Sequence, residues 1–446
     1  MKEFVYHRLL LPAVSRNADR PCATNAATGF STTYAEHLDR VSRLIGGLQG
    51  LGLERTDRFA VMALNSPEYL ELYHAGFLGG GIVNPLNLRF APKELIHVLR
   101  DSETRTCFVD AAFAPVIDAI RDEAGLEHVV LIGEDDVPHT ATFDELLATG
   151  TSVIPDEGEE TDPVVLMYTR GTTGMPKGVL HNQRGEILNA YHIMMAIKLG
   201  RDTVNLLQTP MFHAASIYPV VGGPAIGGHS VILPMFEPRA VMEAIETYRP
   251  TITTMVPTMI GLTMAHPDFR PERLAGLDDL VYGASPMPKA LLETLLDMYP
   301  DMNIWQGYGM TEACSIVTML GPEEHRNGET YLQSAGYPVM GVELSIQDAV
   351  GRTIPTGETG EVFVRGANVM VGYWRQPEAT ATALRNGWHH TGDAGYLDAD
   401  GYLFLVDRVK DMIVTGGENV YSTEVENALA SHPAVQEVAV IGIPHE

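Results

Sequence analysis

The chain has 446 residues, 45% hydrophobic and 20% charged, so it exceeds what one core holds and reads as a folded globular protein of two or three parts. Its 30 Lys and Arg against 57 Asp and Glu give a net charge of −27, which repels nucleic acid and anionic membrane surfaces. Any polyphosphate must then be held locally, by backbone N–H groups, a metal ion and a few cations. Cys22, Cys107 and Cys314 form no CxxC pair, which argues against a disulfide framework or zinc cluster and for a soluble, cytoplasmic protein. The N-terminal apolar run is too short for a secretion signal, and no window reaches the ~18 to 20 apolar residues that span a bilayer.

Leu38, Val41, Leu44, Ile45 and Leu48 recur at helical spacing from Tyr34 to Leu53, and Gly50 and Gly52 end the pattern. Short apolar runs at 58–64, 106–110 and 128–133 then alternate with helical stretches around 67–79, 92–100 and 113–122. Such alternation predicts a mostly parallel, helix-covered sheet. The acidic stretch at 156–163 reads as a surface connection, after which a second round begins with strands at 164–169, 230–234, 251–256 and 278–283. From about 340 to 406, short strands with Gly turns predict a small β-rich subdomain. The fold expected is α/β: a large domain over 1–406 of two helix-covered sheets plus that subdomain, then the beginning of a small α+β domain over 407–446. Val438 to Ile443 reads as a strand.

YTRGTTGMPKGV, residues 168–179, is a strand running into a Gly, Thr and Lys loop. Gly171 and Gly174 allow close backbone approach, the hydroxyls of Thr169, Thr172 and Thr173 donate, and Lys177 supplies a point charge. It is not a Walker A loop, because Pro176 stands where the second glycine belongs and Gly178 follows the lysine. Taken alone, an ordinary Gly-rich turn is the competing reading.

This loop is similar to the signature of the adenylate-forming superfamily, which contains acyl-CoA synthetases, luciferases and peptide-synthetase adenylation domains. YGMTEA at 308–313, HHTGD at 389–393 and DRVKDMIVTGGENVYSTEVE at 407–426 match it in the same order, so the resemblance covers essentially the whole chain. It implies ATP, Mg²⁺ and CoA as cofactor and co-substrates, with Thr169, Lys177 and Glu312 acting on phosphate and Thr169 and Glu312 as the hard oxygen ligands of Mg²⁺. Arg170, Gly171, Thr172, Thr173, Gly174, Gly283, Ala284, Gly309, Met310 and Thr311 would line the nucleotide site, Tyr308 would pack on adenine, Asp393 would take the ribose hydroxyls, and Arg408 would be a further nucleotide contact. His213, Gly307 and Ser285 would border the acyl site, His213 being equally readable as a structural histidine. Lys410 would be the hinge pivot, and Gly416, Gly417 and Glu418 would lie on the loop that swings in for the thioester step.

Several tempting alternatives fail on spacing. GYGMTE places Glu312 where a dinucleotide GxGxxG needs its last glycine, Met287 breaks a GxSxG elbow around Ser285, and His389 with His390 lacks any ligand spacing for a metal. Two features depart from the family. Arg170 stands where a small hydroxyl residue is usual, and the late lysine of adenylation belongs to a C-terminal motif absent here, as expected of a trimmed chain. The activity implied is an ATP-dependent acid:CoA ligase acting on a medium-chain fatty acid or an aryl acid, forming acyl-AMP and then the thioester. The rivals are an amide-forming synthetase, a carrier-protein-loading enzyme, a luciferase-like oxygenase and, from another class, a non-catalytic nucleotide-binding protein. A homodimer is one assembly the sequence leaves open.

Overall fold

The structure, a computed structural model, describes residues 3–155, 157–170, 174–327, 331–348, 350–408, 413–415, 418–420, 422, 425–426, 429 and 438–442. The first expected helix forms over Tyr34–Gly50. Thr33 starts it with a capping box: its hydroxyl accepts from the Glu36 N–H, and the Glu36 carboxylate accepts from the Thr33 N–H at 2.8 Å.

Three sheets follow. The first has eight strands in the order Gly372–Tyr373, Lys177–Asn182, Pro163–Thr169, Ile82–Pro85, Arg58–Met62, Thr106–Asp110, His128–Ile132 and Ala141–Thr142. Its members are parallel except Lys177–Asn182, which runs antiparallel to both neighbours. The second sheet has nine strands, with Asn303–Tyr308, Asp279–Gly283, Ile252–Met255, Val204–Leu207, His229–Ile232 and Pro21–Asn25 parallel at its centre. The third is a five-stranded antiparallel sheet of Glu343–Gln347, Gly360–Arg365, Trp388–Leu397, Leu384–Arg385 and Leu403–Arg408, the expected β-rich subdomain.

The two-residue period of a strand explains how the first two sheets share one core. Phe59 and Val61 point to a cluster that also takes Leu207 and Ile232 from the second sheet and Leu44, Tyr73 and Ile187 from helices between them. Ala60 and Met62 point the other way, onto the helices Pro92–Asp101 and Ala114–Ala124. The outer face of the second sheet is covered likewise by Val241, Ile245, Leu292 and Leu295. Among the described residues no helix is long and apolar enough to cross a membrane.

A polar network is sealed into this core. His74 receives His37 Nε2 at 2.7 Å on Nδ1, while its Nε2 lies 2.9 Å from both the Tyr6 hydroxyl and the Val220 carbonyl. Burial holds the His74 imidazole down at about 4. Next to it, Arg40 forks onto the buried Glu71 carboxylate at 2.6 and 3.1 Å.

Two expectations are corrected. Pro163–Thr169, read as opening the second round, pairs inside the first sheet with Ile82–Pro85 and Lys177–Asn182. The second sheet instead takes Pro21–Asn25 and Ser31–Thr33 from the N-terminal region, because alternation in sequence does not dictate which edge a strand joins. Residues 438–442 form no strand, and the Val440 N–H donates to the Glu426 carboxylate at 2.8 Å rather than to a neighbouring strand. In the acidic connection Glu159 and Thr161 are exposed while Gly158 is buried, and ion pairs of Arg8 with Glu157, Arg184 with Glu160 and Arg55 with Asp162 tie it down.

Candidate active site

The predicted phosphate loop joins two strands whose ends face each other. Thr169 is the last residue of one and Lys177 the first of the next, and the two are register partners. Arg170 does not point inward: its guanidinium forks onto Glu94 at 2.8 and 2.6 Å, which holds that carboxyl below the usual carboxylate range. Gly174 is exposed, and Gly171, Thr172 and Thr173 lie outside the described residues. Behind the loop, the Tyr168 hydroxyl donates to Asp101 at 2.6 Å, and the Trp374 indole donates to the Asp101 carbonyl at 3.0 Å.

The second sheet contributes the C-terminal ends of two parallel strands, the usual place for a ligand in an open α/β sheet. Gly283 and Gly307 are register partners there, and the space is needed, because a Cβ on Gly283 would lie 2.3 Å from the Gly307 carbonyl oxygen. A Cβ on Gly309 would come within 1.6 Å of the Ser315 carbonyl oxygen. Ala284, Cys314 and Ser315 have φ of 66, 53 and 111°, so strained backbone gathers around this edge. Met310 packs against the main core, and Thr311 and Glu312 occupy a single 3₁₀ turn, Thr311–Ala313.

That turn has a buried foundation which the sequence did not reveal. His181 Nε2 lies 2.7 Å from the Thr311 carbonyl and its Nδ1 2.6 Å from Glu186, the side chains of His181 and Glu186 being fully enclosed. Burial opposes a charge on this ring, whereas Cys314 and Glu186 beside it push its pKa up. Burial also pushes the Cys314 thiol up. The ligand atoms of His181, Glu186 and Cys314 lie within 4.8 Å of one another, but both ring nitrogens are already engaged in hydrogen bonds. His389 is buried with Nδ1 unpartnered, and His390 Nδ1 faces Arg385 at 2.9 Å.

Two hydrogen bonds draw the three sheets together over the site. The Tyr308 hydroxyl donates to Asp393 Oδ2 at 2.6 Å, linking the second sheet to the third. Arg408, the register partner of Asp393, places Nε 3.4 Å from its other oxygen. Burial raises the Asp393 pKa, against the pull of Tyr308 and Arg408. The Tyr373 hydroxyl donates to Glu312 Oε1 at 2.9 Å, linking the first sheet to the second, and Lys177 Nζ sits 5.4 Å from the centre of the same ring. Tyr373 carried no signal in the sequence, because its partners are 61 and 196 positions away and the pairing exists only once the sheets have formed.

Among the described residues, Glu312 Oε2 accepts no hydrogen bond, and the Thr169 hydroxyl is likewise unengaged. A carboxylate oxygen and a hydroxyl between phosphates are hard donors that suit Mg²⁺. Ser285 is exposed at the strand end. His213 is exposed, and partial burial with nearby Arg89 lowers its pKa. Its Nδ1 accepts from the Ala215 N–H at 3.3 Å, and no hydrogen bond joins it to the cluster above. Lys410, Gly416 and Gly417 lie outside the described residues, and of Glu418 only the strand Glu418–Val420 is described. The three tryptophans all flank these strands: Trp305 donates to Asp279 at 2.8 Å, Arg58 lies 5.2 Å from the centre of the Trp374 ring, and Arg365 lies 4.4 Å from that of Trp388.

The sequence pattern of the AMP-binding enzyme family matches residues 12–374, and that of the AMP-binding enzyme C-terminal domain matches 424–446. The chain belongs to the AMP-binding enzyme family. It is 39% identical over 418 residues to a feruloyl-CoA synthase of an Amycolatopsis species, covering 93% of this chain and 81% of that protein. A fatty acid–[acyl-carrier-protein] ligase of Streptomyces coeruleorubidus is 35% identical over 425 residues, covering 94% and 80%. The crystal structure of the anthranilate CoA ligase AuaEII with anthranoyl-AMP superposes with a TM-score of 0.90 at 28% identity, covering 99% of this chain and 85% of that one. Within the family the chain is an AMP-forming acyl-CoA synthetase, an acid–thiol ligase.

Proposed function

We propose that this ligase activates an aryl carboxylic acid, with Mg²⁺, and transfers it to CoA. The observation that carries the reading is the Tyr308–Asp393–Arg408 group beside the Lys177–Tyr373–Glu312 group, a nucleoside end and a phosphate end at one sheet edge. Residues 1–406 form the body that holds acid and nucleotide, and 407–446 open the domain that closes for the second step. The acid's carboxylate attacks the α-phosphorus, the bond to the bridging oxygen breaks and pyrophosphate leaves. The CoA thiolate then attacks the acyl carbonyl and AMP leaves.

Little covalent chemistry falls to the protein, so positioning and charge stabilisation supply the rate. Asp393 takes the ribose hydroxyls, held in orientation by the Tyr308 O–H, while the Tyr308 ring and the backbone of Gly283 and Ala284 shape the base site. Lys177 and Thr169 bind phosphate oxygens, and Glu312 with Thr169 would hold the metal ion. When bound, that ion neutralises phosphate charge. Gly307, Ser285 and His213 line the acyl side, and Lys410 with the segment through Glu418 serves closure and thiol entry. Arg170, fixed on Glu94, sets the edge of the loop instead of binding phosphate. In the apolar stretch at 255–262, Met255 and Ile260 belong to the core and Leu262 is exposed, so those two cannot select the acid by contact.

The aryl preference draws on the relatives named for ferulate and anthranilate, and a medium-chain fatty acid is the second choice. The test is pyrophosphate release with ATP, Mg²⁺, CoA and a panel of cinnamic, benzoic and medium-chain acids, product masses being read in parallel. The expected result is an aryl-CoA. The carrier-protein ligase among the relatives supports one alternative, loading of an acyl-carrier protein; pyrophosphate release without a CoA adduct would overturn CoA as the acceptor, and an acylated carrier protein on adding one to the assay would establish that alternative.

A further inference from the structure

We infer that Tyr373 is a positioning residue that keeps Lys177 and Glu312 apart, so that a cation and a carboxylate serving the same phosphate chain are each free for substrate. The inference rests on the roles given to those two residues under the proposed function. Opposite charges at one site edge attract, and a direct ion pair would have to be broken before either met a ligand. Among the described residues Lys177 and Glu312 form no ion pair. Instead the ammonium lies 5.4 Å from the centre of the Tyr373 ring, and the phenol O–H reaches Glu312 Oε1 at 2.9 Å. A ring takes a cation on its face without supplying a counter-charge, and a phenol donates to a carboxylate without neutralising it.

The ring is fixed from its backbone. Tyr373 pairs with Val179, two residues after Lys177, its N–H donates to the Thr380 hydroxyl at 2.9 Å, and that hydroxyl donates to the Gln376 carbonyl at 2.8 Å. Gly372 has φ +154°, and a Cβ there would meet Thr380 Cγ2 at 2.7 Å. From the same segment the Met370 N–H donates to the Glu312 carbonyl at 2.8 Å, so residue 312 is held by its backbone and by its side chain. Among the described residues only Oε1 of Glu312 accepts a hydrogen bond, and under the proposed function Oε2 is left for a metal ion.

The two halves of the contact separate by mutation. ATP affinity is measured by calorimetry with and without Mg²⁺ on the purified full-length protein and on Tyr373→Phe, Tyr373→Leu and Glu312→Gln. Tyr373→Phe keeps the ring and loses the donor: the gain in ATP affinity on adding Mg²⁺ should fall about tenfold or more, while metal-free affinity stays put. Tyr373→Leu removes the ring as well, so metal-free affinity should also fall, by about threefold. Should the Leu variant not fold, the Phe and Gln variants decide alone. A normal Mg²⁺ gain in Tyr373→Phe, with that gain lost in Glu312→Gln, overturns the inference and spares the site. A normal gain in Glu312→Gln overturns the metal role given to Glu312, and the inference with it.

Discussion

Asp393 shows how much of a site residue's role is set by neighbours far away in the chain. Its carboxylate is buried, which raises its pKa, yet Tyr308 and Arg408 each hold one of its oxygens. Asp393→Asn keeps the shape and removes the charge. Hydrogen bonds to charged groups contribute about 1.5–3 kcal/mol, so AMP affinity measured by calorimetry should fall roughly ten- to hundredfold. An unchanged affinity would remove Asp393 from the nucleotide site. Glu94 is the contrasting case, a partner that engages the Arg170 guanidinium at the edge of the loop. Glu94→Gln should leave the unfolding midpoint unchanged and tighten ATP binding by freeing a guanidinium for phosphate; weaker binding would mean that the ion pair itself orders the loop. Tyr308, Asp393, Lys177 and Glu312 were legible because they sit inside short matching motifs. Tyr373 and the His181–Glu186 pair were not, because nothing local distinguishes a tyrosine in a strand or a histidine in a core from the same residue elsewhere.

At the scale of elements, the strand ends at Gly283 and Gly307 to Gly309 combine close backbone approach with site geometry. Gly283→Ala and Gly309→Ala drive a methyl into main-chain oxygens at 2.3 and 1.6 Å, contacts that a rotamer change cannot relieve. Both should cost at least about 1–3 kcal/mol and lower the unfolding midpoint or the soluble yield. Gly307→Ala meets only the tip of Ile316, at 2.7 Å, and should fold. Its effect should appear instead as selection for smaller acids in the pyrophosphate assay; a midpoint loss equal to that of Gly283→Ala would contradict this ranking. Strands such as Arg58–Met62, Thr106–Asp110 and His128–Ile132 were legible from apolar alternation, since each is a local pattern, whereas Val204–Leu207 and Asn303–Tyr308 were not picked out and the apolar run at 438–442 forms no strand. Which sheet a strand joins was not. Pro163–Thr169 and Pro21–Asn25 go to the sheets their contacts favour, and those partners are remote in sequence.

Across the whole molecule, histidines sealed in the core tie stability to acidity. His74 protonates near 6.5 when unfolded and is held at about 4 when folded, so from pH 6.5 downward the unfolded chain binds a proton that the native state refuses. Stability contributed by the neutral ring is fully present above 6.5 and is lost as pH falls towards 4, worth on the order of 3 kcal/mol for one such residue. His192 and His229, also held at about 4 by burial, act in the same direction. Glu71, which burial pushes up to about 7 despite Arg40, acts in the opposite direction between 7 and 4.5. The clean readout is therefore a difference. The unfolding midpoint of His74→Gln should fall less steeply with pH between 6.5 and 4 than that of the parent, and parallel slopes would sink the idea.

The chain has three tryptophans, and each shares a strand or its flank with a site residue: Trp305 with Gly307 and Tyr308, Trp374 with Tyr373, and Trp388 with Asp393. Its ultraviolet emission therefore originates mostly in strands that carry the residues proposed to bind nucleotide. If those residues bind nucleotide as proposed, adding AMP to unlabelled protein should change the colour or brightness of its intrinsic light, and an unchanged spectrum at saturating AMP would count against that placement.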